Sequence, residues 1–322
     1  MKKHRFHFSR ESSERMKDFS QPEETAETPT PADPTDASAT ETPPAQDAPA
    51  APCDTAAETP ETAKAEAEAE KAREAQPADD PEVPFLTASR TDVGKVRANN
   101  QDAVILAGRL AGVADGMGGH LGGETASAIV RDGLIALLRD KEPDAAALRT
   151  GVEAVNRRVF LKSEEDEHLR GMGTTLTVLW LGDVEALIAH VGDSRCYRLR
   201  NGELQQMTDD HSLVMEMVRA GALTREQAHV HPMRNVITRA VGTDQGVDID
   251  MLHFPREKGD LWLICSDGLH GMVSDDEMQA ILTDEGASLE NKAQRLLEAA
   301  LDAGGRDNVS LVLLLDQEGG HA

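Results

Sequence analysis

The sequence predicts an α+β fold with largely antiparallel sheets, and three observations lead there. Short apolar, β-rich runs bounded by turn residues occur at 103–107, 110–114, 174–182, 184–191, 195–200, 260–265 and 309–315. Stretches of helical periodicity come mainly in pairs, 123–140 with 144–164 and 275–285 with 288–303; a further one covers 212–220. Strands therefore run together between helix pairs instead of alternating with single helices, which disfavours a doubly wound parallel sheet.

Elements begin only after a long polar segment. Of the 15 prolines, 12 lie between Gln21 and Pro84, and residues 20–84 hold no Ile, Leu, Phe or Trp. Such a segment cannot bury enough apolar area to offset its ordering entropy, so residues 1–84 are expected to be a disordered Ala/Pro/Thr/Glu-rich tail. Glu-Thr-Pro recurs there at 27–29, 41–43 and 58–60, which reads more readily as compositional bias than as phosphorylation sites. Residues 85–318 are expected to form a single domain.

Charge narrows the function. The chain carries 33 Lys+Arg against 58 Asp+Glu, a formal net charge of −25. That balance disfavours nucleic acid and anionic membranes as partners. No apolar stretch approaches the ~18–20 residues of a membrane span, and no apolar core follows the basic start of Met1–Ser20. Cys53, Cys196 and Cys265 are widely spaced and form no C-x-x-C pair, so a reducing cytoplasm is the expected compartment.

Taken in order, the apolar runs meet aspartates flanked by Gly, Ser or Asn. Asn99-Asn100-Gln101-Asp102 precedes what reads as the first strand, and Val113-Ala114 leads into Asp115-Gly116-Met117-Gly118-Gly119-His120. Ala189-His190-Val191 leads into Gly192-Asp193-Ser194-Arg195, and Leu261–Cys265 into Ser266-Asp267-Gly268-Leu269; Arg306-Asp307-Asn308 precedes the last strand. Any one is a turn signal. Five in one domain put a cluster of carboxylates at one edge of packed strands, where mutual repulsion raises their pKa values. A hard divalent cation with oxygen ligands relieves that repulsion, and the absence of nearby cysteines favours Mg²⁺ or Mn²⁺ over zinc. Four or five carboxylates exceed the need of one ion, so two or more are expected. Such a pair can activate a bridging water and clamp a phosphate. Arg97, five residues before Asp102, is the candidate guanidinium for the phosphate oxygens.

These residues resemble the metal-dependent PPM protein phosphatases, the type 2C group, in their bacterial form. The resemblance covers residues 88–316, with motifs in family order: Gly94-x-x-Arg97-x-x-Asn100-Gln101-Asp102, Asp115-Gly-Met-Gly-Gly-His120, Gly173-Thr174-Thr175, Val191-Gly192-Asp193-Ser194-Arg195-x-Tyr197, Thr208-Asp209-Asp210-His211-Ser212, Ser266-Asp267-Gly268-Leu269 and Asp307-Asn308. It implies a β-sandwich of two antiparallel sheets flanked on both sides by α-helix pairs, with metals in a cleft at one end. It also implies hydrolysis of phosphoserine and phosphothreonine in proteins, opposing a bacterial Ser/Thr kinase, with two or three Mn or Mg ions. By the same resemblance Asp115 and the Gly116 carbonyl hold the two main ions, Asp267 and Asp307 complete one shell, and Asp102 acts through coordinated water. Asp193 with Asp267 resembles a third-metal pair, Arg97 holds the phosphate, and 208–242 takes the place of a flap beside the cleft.

One departure stands out. Eukaryotic members carry a His two residues after the bridging Asp, where this chain has Met117; metal-bound water is the favoured proton source, and His120, at the Gly-rich turn into the helix, is the side chain nominated as general acid behind it. His190, His211 and His231 are expected to be structural, Cys265 a buried packing residue, and Gly173-Thr174-Thr175 a strand opening that packs behind the cleft. A dinucleotide-binding turn at Gly116–Gly118 is disfavoured because its third glycine would fall at Leu121. The alternative function is a catalytically silent phosphoprotein-binding module of the same fold.

Overall fold

The computed structural model describes residues 85–320, without the side chains of residues 119–121 and 229. The tail expected over 1–84 lies outside the described residues. Two antiparallel sheets stack face to face. The first holds β1 (Phe85–Asp92), β7 (Arg195–Arg200), β8 (Glu203–Gln206), β10 (Leu261–Cys265) and β11 (Val309–Asp316), in the order β1-β11-β10-β7-β8. The second runs β2-β3-β5-β6-β9, with β2 at Asp102–Ala107, β3 at Leu110–Met117, β5 at Leu176–Leu181, β6 at Glu185–Val191 and β9 at Asp250–Pro255. A two-residue strand, β4 (Gly173–Thr174), pairs with the end of β3.

Helices cover both outer faces. α1 (Gly119–Leu138) and α2 (Ala145–Glu165) pack on the second sheet. Two short helices, α3 (Leu213–Arg219) and α4 (Arg225–His229), lie within 208–242. On the first sheet pack α5 (Asp267–His270), α6 (Asp275–Leu282) and α7 (Leu289–Asp302). α2, α3, α6 and α7 each start at an Asp or Ser whose side chain accepts a helix N–H, the preferred way to satisfy the first turn.

Interior strands are apolar throughout because both their faces are buried. Along β10, Leu261, Leu263 and Cys265 pack under α6 and α7, while Trp262 and Ile264 point between the sheets. Along β5, Leu176, Val178 and Trp180 pack under α1 and α2, while Leu179 and Leu181 point between the sheets. This alternation gives three apolar layers, of which the middle one glues the sandwich.

The expected α+β sandwich with helix pairs on both sides is present. Three strands differ from the sequence reading, which placed the first strand at 103–107: β1, β8 and β9. All three are sheet edges, where one face is polar and the apolar signal is halved. In β1 only Phe85 and Ala88 are buried.

A buried ion pair fastens the end of the domain. The Arg256 guanidinium donates to both oxygens of Asp316 at 2.7 and 2.9 Å and to the Gly182 carbonyl, and it lies 4.7 Å from the Phe85 ring centroid.

Candidate metal centre

The sandwich topology brings the strand-end aspartates together. Asp102 opens β2 and stands directly opposite Asp115 in the β2–β3 register. The Asp115 N–H donates to Thr175 Oγ1 at 3.0 Å and its carbonyl accepts from the Thr175 N–H at 2.8 Å. Asp267 begins α5 immediately after β10, Asp307 lies in the turn before β11, and Asp193 lies in the turn between β6 and β7.

Close backbone approach makes this convergence achievable. A Cβ on Gly268 would sit 1.9 Å from the Asn308 carbonyl oxygen, so only glycine lets the start of α5 rest against the Asp307–Asn308 turn. A Cβ on Gly116 would sit 2.1 Å from the Gly123 carbonyl oxygen, so glycine there serves the packing of α1 on β3. Asn308 ties in the segment that carries Arg97. Its Oδ1 accepts from the Gln101 N–H at 2.8 Å and its Nδ2 donates to the Val93 and Asn99 carbonyls at 2.9 Å.

The result is a cleft of about 550 Å³ lined by Arg97, Asp115, Gly116, Asp193, Asp267 and Asp307, with Met117, Thr175, Asn235 and Ile237 among its other walls. Asp102 does not line it. It stands behind Asp115, where Ser266 Oγ donates to its Oδ2 at 2.8 Å. Arg97 is half-exposed at the rim and donates to Asp307 Oδ2 at 2.6 Å. That bond raises its pKa further, and Asp115 and Asp267 add to the effect.

The carboxylates are held in an unfavourable state. Burial, with the neighbouring carboxylates adding to it, pushes Asp102 and Asp193 up to about 7, Asp267 up to about 6 and Asp115 well above the usual carboxylate range. Asp102 Oδ1 and Asp267 Oδ1 are buried with no hydrogen-bond partner. Orphaned buried oxygens of this kind cost free energy unless something positive meets them. The donor set is all oxygen, which fits a hard divalent cation. Among the described residues no three His, Cys, Asp or Glu side chains form a closed cage around one point. Hard divalent cations, Mg²⁺ above all, complete their shells with carbonyl and water oxygens.

The other sequence candidates fall as follows. His120 stands in the first turn of α1, and its side chain lies outside the described residues. His190 is fully buried and hydrogen-bonded to Thr177 and the Asp209 carbonyl, and Cys265 is fully buried in the layer beneath α6 and α7. Thr175 corrects the expectation that its segment packs behind the cleft: it lines the cleft, because its hydroxyl must reach the Asp115 N–H and Ser194 Oγ at 2.8 Å. In the sequence Asn308 stands out only as part of a motif, because its three bonds to a segment some 210 positions away leave no local signal.

The family model of protein phosphatase 2C matches residues 94–303. The chain belongs to the protein phosphatase 2C family. Serine/threonine protein phosphatase PstP of Mycobacterium tuberculosis is 44% identical over 230 residues, covering 70% of this chain and 44% of PstP. The chain thus spans less than half the length of that relative. Serine/threonine phosphatase stp of Listeria welshimeri is 38% identical over 246 residues, covering 70% of this chain and 93% of the relative. The crystal structure of the catalytic domain of PstP in complex with two manganese ions superposes with a TM-score of 0.67 at 39% identity, covering 73% of this chain and 99% of that one.

The carboxylate pKa values give a protein phosphatase 2C centre a testable pH signature. Unfolded Asp titrates near ~3.9, so between about pH 4 and about pH 7 the metal-free folded state binds more protons than the unfolded state, and these carboxylates lose stability as pH rises. Buried His190 and His270, held down to about 4 and about 3 mainly by burial, push the other way. Their contribution cancels when the same protein is compared with and without metal. The rise in Tm on adding Mn²⁺ to chelator-treated protein should therefore grow from about pH 5 to about pH 7.5, because at low pH the ion must displace protons. A gain that shrinks over that range in thermal melts would contradict the assignment.

Proposed function

We propose that the protein hydrolyses phosphoserine and phosphothreonine in proteins, using Mn²⁺ or Mg²⁺, two or three ions, held by Asp102, Asp115, the Gly116 carbonyl, Asp193, Asp267 and Asp307. The observation that carries this reading is the cluster of buried, repelling carboxylates with orphaned oxygens, set beside a half-exposed guanidinium in one cleft. The family membership and the manganese-bound relative support it. When bound, divalent ions supply water activation and neutralisation of phosphate charge.

The chain's own residues do the rest. Asp115 stands at the centre, its backbone fixed on both sides by Thr175, so its carboxylate keeps one orientation. Arg97 is anchored on Asp307 through one Nη and stands at the cleft rim, where a phosphate would receive its charge-assisted hydrogen bonds. Met117 lines the cleft but cannot donate a proton, which leaves protonation of the leaving oxygen to His120 or to solvent. Among the described residues no helix is long and apolar enough to cross a membrane. The substrates are phosphoproteins, including targets of a Ser/Thr kinase, in the cytoplasm.

The full chain with Mn²⁺ should release inorganic phosphate from a phosphothreonyl peptide. Binding of that peptide without turnover would favour a silent recognition module of the same fold. Arg97→Ala should lower kcat/KM by about 30- to 150-fold, the worth of about 2–3 kcal/mol of charged hydrogen bonding, with most of the change in KM. An unchanged KM for the peptide would remove Arg97 from phosphate binding.

A further inference from the structure

His211 occupies the junction between the turn that carries Asp193 and one wall of the cleft. The peptide groups of Gly192 are held twice by this one residue. The Gly192 N–H donates to His211 Nδ1 at 3.1 Å, and the Gly192 carbonyl accepts from the His211 N–H at 2.8 Å. An Nδ1 that accepts places the proton of the neutral ring on Nε2. That nitrogen faces Asp250 Oδ2 on β9 at 3.1 Å, and Arg239 donates to the other Asp250 oxygen at 2.9 Å. The ring is 1% exposed, so neither nitrogen is left to water.

The same residue also grips the wall. The Thr238 N–H donates to the His211 carbonyl at 2.8 Å, the next residue forms a bridge with Ile237, and the Leu213 N–H donates to the Val236 carbonyl at 2.9 Å. Asn235 and Ile237, on that stretch, line the cleft. On the far side of Asp193, Asp210 accepts from Arg195 through both its oxygens at 2.9 and 2.8 Å, and His270 Nε2 approaches the Asp193 carbonyl at 3.0 Å. Asp193 is thus bracketed by bonds that lead back to residues 210 and 211. A histidine that only filled space would not commit both ring nitrogens to these partners, whereas the two backbone bonds would form with any residue at 211.

We propose that His211 is a positioning residue that, through Asp250 and Arg239, holds the Asp193 turn and the Asn235–Ile237 wall at a fixed spacing. The inference rests on the phosphatase reading of the cleft. It assigns to His211 two separable tasks, one for each ring nitrogen: Nδ1 sets the Asp193 turn, and Nε2 sets the wall.

Two substitutions separate the tasks. His211→Asn puts an amide oxygen near the Nδ1 position and keeps the Gly192 bond, but it is too short for Asp250. His211→Gln reaches Asp250 and leaves the Gly192 N–H unbonded. Full-length proteins would be compared by hydrogen exchange at the Gly192 amide, calorimetric Mn²⁺ titration, and kinetics on para-nitrophenyl phosphate and a phosphothreonyl peptide. His211→Gln should speed Gly192 exchange and weaken the weakest Mn²⁺ step by about fivefold or more, the effect of one lost hydrogen bond. His211→Asn should keep Gly192 protected and raise KM for the peptide about fivefold more than KM for the small ester.

Variants that lower Tm while leaving Gly192 exchange, the Mn²⁺ titration and both KM values at parent levels would reduce His211 to a packing residue. If either variant fails to fold, Asp250→Asn, at the more exposed end of the cluster, repeats the wall arm with the same expected difference between the two KM values; no difference overturns that task. A parent protein that takes up no Mn²⁺ and turns over neither substrate would overturn the phosphatase reading itself. An active parent with indifferent variants overturns only the role of His211.

Discussion

Asp115→Asn should abolish phosphate release, lowering kcat/KM by about 10³-fold or more. The four other aspartates all act on this carboxylate: Asp102 from the opposite strand, Asp267 from the start of α5, and Asp193 and Asp307 from their turns. Asparagine keeps the shape and removes the charge. In metal-free protein that change relieves repulsion among buried carboxylates, so Tm in chelator should stay level or rise. Loss of activity with retained or improved stability is a combination that a folding defect cannot produce. A variant keeping a tenth or more of parental turnover would show that the cation is held without Asp115.

Chelation should remove essentially all turnover of the phosphothreonyl peptide, and added Mn²⁺ or Mg²⁺ should restore it. A metal-free route would need another nucleophile, and among the described residues no cysteine lines the cleft. Cys265 ends the strand that leads to Asp267, but it is fully buried and burial pushes its thiol up to about 12, so it holds no thiolate at neutral pH. Thiol-alkylating reagents should accordingly leave the metal-loaded protein active. Full activity in chelator would end the metal-dependent reading.

The sequence made the inner part of the fold legible and its margins much less so. β5, β10 and β11 read as continuous apolar runs because each is packed on both faces. β1, β8 and β9 are edges with polar outer faces, and β9 ends in Pro255, which argues locally against a strand. β8 had a usable signal. Asn201 and Gly202, at φ 54° and 82°, make the two-residue turn joining Arg200 to Glu203, and Asn-Gly is the strongest short-range hairpin signature.

The candidate site divides in the same way. The aspartates announced themselves, since each falls where an apolar run meets small turn residues. The bonds that orient them did not. The grip of Thr175 on Asp115, the three bonds of Asn308 and the pairing of Arg97 with Asp307 all join residues distant in sequence. Only the strand order brings those partners within reach.

That strand order also sets a clock. β1 pairs along its whole length with β11, from Phe85 against Asp316 to Asp92 against Val309. Arg97 follows the first of these strands and Asp307 precedes the second, so the cleft is sewn shut by partners about 210 to 230 residues apart. Synthesis at about 5–20 residues per second puts roughly 10–50 s between the appearance of the two strands. A nascent chain therefore carries Arg97, Asp102, Asp115 and Asp193 long before the proposed metal site can be completed by Asp267 and Asp307. Phosphatase activity should switch on only with release of the last described strand, and ribosome-stalled chains ending before Val309 should be silent.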